Sequence, residues 1–330
     1  MGELPVQPAA SGADMAQEIR RLAAKGAFVE ADALREKLIS MFPLEVALIV
    51  STGQFIEEEK TTRLDRDHLA LWQGLYDTLT EEETNAIYYR LKDDRIGAGK
   101  VLFLQSRPNS RLFFVEGGEV VLFFRKSDKN VPLAKVGRGA VIGEETFFGI
   151  SYSTFSAATQ TEVSLRHLSR ADTADWPANL PGLLDKLNDY CRKIGSAESV
   201  IYQKNLERRT YPRFKLMAVA TAVILDQHGR HTGNYFKGDV VDVSQSGVCF
   251  SMKCSKQETA RALLGRSIAL SITAPDTEQE LIRSSATIVK VSFLLHNDYH
   301  VHARLTERID DAQFKKLPYD RSSSSVGHRR

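Results

Sequence analysis

The fold class the sequence predicts is α+β and multidomain: an N-terminal helical region, a central β-roll with flanking helices, and a C-terminal six-stranded β-barrel. Three observations carry this expectation. Apolar residues recur at helical spacing from Ala13 to about Leu79. After a capping box at Thr80-Glu81-Glu82-Glu83 the pattern changes to short strands broken by glycines. Beyond a second helical stretch, strand alternation returns at Lys215 and continues with turn residues between the segments. The 330 residues have room for two or three domains.

Residues 1–13 are small, polar and proline-containing, and read as a disordered N-terminus. In the helical region, 14–79, Met15, Ile19 and Leu22 form one stripe and Ala31, Leu34 and Leu38 another, with Gly26, Pro43 and Gly53 expected to cut it into short helices. Leu69, Trp72, Leu75 and Tyr76 continue the pattern, which places Trp72 in a core or at a domain contact. Nothing in this region forms a chemical constellation. In the next domain, 80–187, the Thr80 hydroxyl and Glu83 carboxylate can satisfy the first free amides of a helix reaching about Leu91. Strands are expected at Lys100–Leu104, Arg111–Glu116, Glu119–Arg125 and Val131–Val136, as in a β-roll or barrel. From Leu180 to Lys204 the periodicity is helical again, with Leu183, Leu184, Leu187, Tyr190 and Ile194 on one face, so residues 188–207 read as a connector. The last domain, 208–318, has strands at Lys215–Leu225, Gly238–Val243, Val248–Met252, Ser267–Thr273, Ile282–Phe293 and Tyr299–Leu305. Six short strands suit a small closed barrel. Short helices are expected at Glu258–Leu264 and Asp310–Leu317, and the Ser/Arg-rich tail, 319–330, reads as disordered.

Charge is uneven along the chain. Residues 201–330 carry 20 Lys/Arg against 13 Asp/Glu, while the rest of the chain is acidic. A basic C-terminal module suits a dianionic ligand or an acidic partner; nucleic-acid binding would want a denser basic stripe. Cys191, Cys249 and Cys254 have no metal-ligand spacing and read as reduced thiols. His300 and His302 share a strand without a third ligand, so no metal is expected. The longest apolar run, near Leu44–Val50, is too short to span a bilayer, and the N-terminus lacks an export pattern, so a cytoplasmic protein without membrane insertion is expected. No GxSxG elbow, P-loop or HExxH is present, and the chain is not expected to be an enzyme or to need a cofactor.

Two motifs carry chemistry. Arg209-Thr210-Tyr211-Pro212-Arg213 is an RxxxR entering a strand, with Arg208 as a third guanidinium just before it. Asp242-Val243-Ser244-Gln245-Ser246-Gly247 is a DxSxxG between two strands. Guanidiniums can grip a phosphodiester or the O6/N7 edge of guanine and can stack on the base. An Asp can accept from the guanine Watson–Crick edge, a Ser hydroxyl can add a bond, and a glycine lets backbone approach a ligand. In this order and context the pair resembles the signature of PilZ domains, bacterial receptors for the second messenger cyclic di-GMP. The resemblance implies that Arg208, Arg209, Arg213, Asp242, Ser244 and Gly247 bind that dinucleotide, and that binding orders the arginine segment. It also implies an output through an as yet unidentified downstream protein, in motility, secretion or exopolysaccharide control, and leaves homo-oligomerisation open.

A second resemblance covers about Leu79 to Leu187. Ile96-Gly97-Ala98-Gly99-Lys100-Val101-Leu102-Phe103-Leu104-Gln105, Pro108, and Leu112 to Val120 with Gly117-Gly118 look like a cyclic-nucleotide-binding domain. In that family a Gly-Glu is followed about a dozen residues on by Arg-x-Ala; the Glu takes a ribose hydroxyl and the Arg neutralises the cyclic phosphate. Gly143 and Glu144 are retained, but the arginine is replaced by Phe155, and no basic residue lies between Gly143 and Arg166. A degenerate phosphate segment implies a fold kept for packing, dimerisation or relay. Three readings follow: a cyclic di-GMP receptor, an interaction scaffold with decayed sites, or a dual sensor that also takes a cyclic mononucleotide at Gly143 and Glu144.

Overall fold

The computed structural model describes residues 11–126, 129–194, 211–275, 277, 279–293 and 298–319. The chain starts with helices α1 (Gly12–Ala24), α2 (Phe28–Met41), α3 (Val46–Thr62), α4 (Arg66–Leu71), α5 (Gln73–Tyr76) and α6 (Glu81–Tyr88). Helix α1 begins inside the stretch expected to be disordered, because Ser11 and Asp14 form a reciprocal capping box. Gly26 and Pro43 do separate helices, but Gly53 lies inside α3. A Cβ there would come within 2.9 Å of the Arg35 guanidinium, so the glycine leaves room for Arg35 to cross α3 and donate to the Ile49 carbonyl. The core of these helices is Met15, Ile19, Ala23, Ala31, Leu38 and Ile56, and Trp72 is 1 % exposed.

The middle of the chain supplies β1 (Lys92–Ile96), β2 (Val101–Phe103), β3 (Arg111–Gly117), β4 (Val120–Lys126), β5 (Lys129–Val136), β6 (Val141–Ile142), α7 (Glu144–Phe148), β7 (Ile150–Ser151), β8 (Ser156–Thr159) and β9 (Val163–Ser169). Two four-stranded sheets, ordered β1-β9-β3-β6 and β2-β8-β4-β5, form the roll. Its core contains Phe103, Phe113, Val115, Leu122, Phe124, Phe155 and Leu165. Helices α8 (Trp176–Asn179) and α9 (Leu183–Lys193) follow. The expected helix to Lys204, and with it Arg208 and Arg209, runs into residues outside those described. The chain divides into two compact units: residues 1–93 with 166–168 and 172–190, and residues 94–165 with 169–171 and 191–330. Within the first, Lys186 of α9 donates to both Glu83 carboxylate oxygens of α6, at 2.8 and 2.7 Å.

The second unit ends in β10 (Val219–Leu225), β11 (His231–Ser244), β12 (Gly247–Lys253), α10 (Gln257–Ala262), β13 (Ser267–Thr273), β14 (Glu280–Phe293), β15 (Asp298–Leu305) and α11 (Asp311–Lys315). The six strands close in the order β13-β10-β11-β12-β15-β14, with β14 returning to β13. Val243, Val248, Phe250, Ile268, Leu270, Ile288 and Val301 fill the barrel. Strand β11 is seven residues longer than its expected start at Gly238. The added stretch, His231 to Lys237, is mostly exposed and lacks alternation, so only its pairing with β10 identifies it as strand.

Strand β14 outruns β13. Its first half pairs with β13 on one edge, and that pairing ends at Thr287. Past this point the edge is covered by β7, paired antiparallel as Lys290 with Ser151 and Val291 with Ile150. The Tyr152 amide donates to the Val289 carbonyl at 3.0 Å, and Ile150 joins the barrel core. An open strand edge is a site for unwanted pairing, and here the preceding roll closes it. Among the described residues no helix is long and apolar enough to cross a membrane.

Candidate ligand-binding site

The DxSxxG face depends on one extra residue in β11. Val240 pairs with Phe250, but Asp242 pairs with Cys249 and Val243 with Val248, so Val241 is a bulge. Side chains alternate along a strand, and a single inserted residue reverses the phase. Val240 and Val243 therefore both enter the core, although three residues apart, and Asp242 and Ser244 are turned to the other face. Without the bulge, Asp242 would point into the barrel.

The end of the RxxxR segment is pinned beside that face. Phe214 and Val243 exchange two backbone hydrogen bonds, each 2.9 Å. The Phe214 ring packs on Tyr319 and Phe314, with centroids 4.6 and 6.0 Å away. On the other side of Arg213, Tyr211 lies under the Arg308 guanidinium, which also donates to its hydroxyl at 2.9 Å. Held at both ends, Arg213 donates from Nη1 to Asp242 Oδ1 at 2.9 Å, and both side chains are 24 % exposed. An ion pair this exposed adds little to stability, about 0–1 kcal/mol. Its larger consequence is orientation, since it holds a guanidinium and a carboxylate side by side on one surface.

Ser244 and Gly247 flank the two-residue turn Gln245-Ser246 and pair with each other. Ser244 is 3 % exposed, and its hydroxyl donates to the Gly247 carbonyl at 3.2 Å. The hydroxyl thus closes the hairpin, a role in addition to the ligand contact expected from sequence. Gly247 has ordinary φ, and its constraint is space: a Cβ would lie 2.9 Å from the Ala303 carbonyl of β15. The turn is anchored further by Leu305 and Ile309, whose amides donate to Ser246 and Gln245 carbonyls at 3.0 and 2.9 Å. Gln245 also bonds Asp311 of α11. Of the expected site, Arg213, Asp242, Ser244 and Gly247 are brought together, while Arg208 and Arg209 lie outside the described residues. Sequence reading missed the anchors Tyr211, Phe214, Arg308 and Tyr319; the aromatic pair flanking Pro212 and Arg213 was the available signal.

In the roll, Gly143 caps the N-terminus of α7 and Glu144 is its first residue. Gly143 is left-handed, with φ 93°, and a Cβ would meet the Arg111 carbonyl at 2.5 Å. Glu144 is buried at the start of α7. Arg170 closes the other end of α7, donating to the Phe147 and Gly149 carbonyls at 2.8 and 3.2 Å and also to Thr146. Burial, and secondarily the Arg261 charge, lower its pKa from the ordinary arginine value. Phe155 occupies the roll interior, edge-on to Phe103 with centroids 5.5 Å apart. His300 and His302 are half-buried between core residues of β15. Among the described residues no group of three or more His, Cys, Asp or Glu could hold a metal.

The fold and this geometry define a protein made of two ligand-binding or regulatory modules, and comparison with known families identifies both. A cyclic nucleotide-binding domain spans residues 94–176, and a PilZ domain spans 207–317. Solved structures similar to the chain include a cyclic nucleotide-binding-like protein from Brucella abortus, 21% identical, covering 33% of this chain and 94% of that one at a TM-score of 0.30. Another is a cyclic nucleotide-binding domain from Methylobacillus flagellatus, 20% identical, with coverage of 38% and 70% and a TM-score of 0.34. A third is a regulatory subunit of a cAMP-independent protein kinase A from Trypanosoma cruzi bound to guanosine, 16% identical, with coverage of 46% and 50% and a TM-score of 0.37. No curated protein matches the chain.

Proposed function

We propose that the chain is a non-catalytic, cytoplasmic cyclic di-GMP receptor, in which the PilZ domain binds the dinucleotide through Arg209, Arg213, Asp242, Ser244 and Gly247, with Arg208 as a supplementary contact. The observation that carries this reading is the pinned pair of Arg213 and Asp242 on the face created by the Val241 bulge. A guanine can accept from the guanidinium at O6/N7 and donate to the carboxylate from its Watson–Crick edge. Arg209, four residues before Arg213, supplies a second cation for the phosphodiester. Output follows from ordering the arginine segment, which changes contacts with a downstream protein or between the domains.

The cyclic nucleotide-binding domain fits a scaffold better than a second sensor. Phe155 stands where the family's arginine would neutralise a phosphate, and it is packed into the roll core. An anion placed there would lose its hydration without gaining a cation. Strand β7, just past the retained Gly143-Glu144, is engaged with the barrel edge.

Hydrogen exchange with and without cyclic di-GMP tests the receptor reading. Slower exchange at 208–213 and 242–247 is expected. Unchanged exchange in both segments at saturating dinucleotide would overturn it.

A further inference from the structure

We infer that Arg308 is a positioning residue for the arginine motif: its guanidinium clamps Tyr211 and so fixes where Arg209 and Arg213 stand relative to the DxSxxG turn. That role rests on the receptor reading above, and Arg308 belongs to neither motif. Tyr211 is the central residue of Arg209-Thr210-Tyr211-Pro212-Arg213, two positions from each motif arginine. The Arg308 guanidinium carbon lies 5.4 Å from the centre of the Tyr211 ring, and Nη1 donates to the Tyr211 hydroxyl at 2.9 Å. A cation over the ring face and a hydrogen bond at the tip hold one side chain by two different handles.

Arg308 is itself carried on backbone tied to the DxSxxG turn. It stands between β15 and α11, where the Leu305 and Ile309 amides donate to the Ser246 and Gln245 carbonyls at 3.0 and 2.9 Å. The Thr306 amide donates to the Ser285 carbonyl at 2.8 Å, and Ile309 is buried in the barrel core. The two acidic residues that follow Arg308 have other partners. Asp310 caps α11 by accepting from the Gln313 amide at 2.7 Å, and Asp311 accepts from the Gln245 side chain. The exposed Arg308 guanidinium reaches across to Tyr211 instead.

The clamp acts on Arg213 through a stiff link. The ring of Pro212 fixes its own φ and biases Tyr211 toward extended backbone, so few conformations join Tyr211 to Arg213. Beyond that link, Arg213 donates to Asp242, and Phe214 exchanges backbone hydrogen bonds with Val243. Those contacts hold the motif segment by its C-terminal end, whereas Arg308 holds it at the centre. A receptor whose binding segment samples other conformations loses affinity in proportion to the fraction that is competent. Arg308 therefore raises affinity for the dinucleotide without touching it.

The test is calorimetric titration of cyclic di-GMP into wild type, Arg308→Ala, Tyr211→Ala, the double variant Arg308→Ala/Tyr211→Ala, and Arg213→Ala, with hydrogen exchange measured on each free protein. Circular dichroism and thermal unfolding check that each variant is folded. Arg308→Ala should weaken the dinucleotide by about three- to tenfold, speed exchange at the Arg213 and Phe214 amides, and have no further effect once Tyr211 is gone. If Arg213→Ala weakens binding and folded Arg308→Ala binds like wild type, Arg308 positions nothing, while the receptor reading stands. A loss of the same size with and without Tyr211 would make Arg308 a direct ligand contact and overturn the positioning role. If folded wild type does not bind, the receptor reading fails and exchange decides the clamp. Faster exchange at Arg213 and Phe214 in Arg308→Ala then supports it, and unchanged exchange overturns it.

Discussion

Phe155 is the residue on which the proposed scaffold role of the roll rests, and replacing it has a calculable cost. Its side chain is 2 % exposed within the roll core and packs edge-on against Phe103. A buried Phe truncated to Ala loses its transfer free energy and leaves a cavity, together about 3–5 kcal/mol. The aromatic pair accounts for roughly 0.5–1.5 kcal/mol beyond area alone. Phe155→Ala should thus destabilise the chain by about 3–5 kcal/mol in urea denaturation followed by circular dichroism. Phe155→Leu, which keeps much of the volume and no polar atom, should cost less than Phe155→Ala. Millimolar cAMP should leave the wild-type melting temperature unchanged. A loss below about 1 kcal/mol for Phe155→Ala, or a clear cAMP-induced shift in wild type, would show that the ring does not fill the nucleotide pocket, and the scaffold reading of this domain would fall.

Three further outcomes are expected. Gly247→Ala sets a methyl group against the Ala303 carbonyl; prying β12 from β15 should cost about 1–3 kcal/mol in thermal unfolding, and a variant as stable as wild type would refute the close approach. Burial alone would raise the Glu83 carboxyl, but hydrogen bonds from Lys186 and the Thr80 amide, with the Lys186 charge, hold it below its ordinary value of 4.5. A depressed folded pKa stabilises fully above 4.5 and is lost as pH falls through the folded value, so Glu83→Gln should flatten the acid limb of the stability profile; an unchanged limb would contradict the coupling. Burial first, and the Glu144 charge second, push the Cys191 thiol up to about 12. Native-state alkylation near neutral pH, mapped by mass spectrometry, should therefore label half-exposed Cys254 and spare Cys191; equal labelling would refute this.

How much was legible in the sequence depended on whether the signal was local. The Thr80–Glu83 capping box and the six barrel strands are written in neighbouring residues, and both are present. Ser11 with Asp14 had the same local signal, overlooked because the preceding residues looked unstructured. Strand β11 before Gly238 and the two-residue β7 had no alternation to read; their partners β10 and β14 define them. At the site, the motif residues were legible as chemistry, but their facing was not. Asp242 is turned outward by a bulge at Val241, visible only in the register with β12. Phe155 was legible as a missing cation, though not as the ring that packs the roll core.

One surface of the barrel, built around Arg213 and Asp242, is the proposed seat of cyclic di-GMP. The most direct test is an equilibrium titration of that dinucleotide into the full chain beside folded Arg213→Ala. Removing one guanidinium from charge-assisted hydrogen bonds should cost about 1.5–3 kcal/mol, or roughly ten- to a hundredfold in Kd. Tight binding to wild type with that loss in the variant is the predicted result. Equal affinity in both would place the ligand elsewhere, and no binding to folded wild type would leave the motif without its ligand.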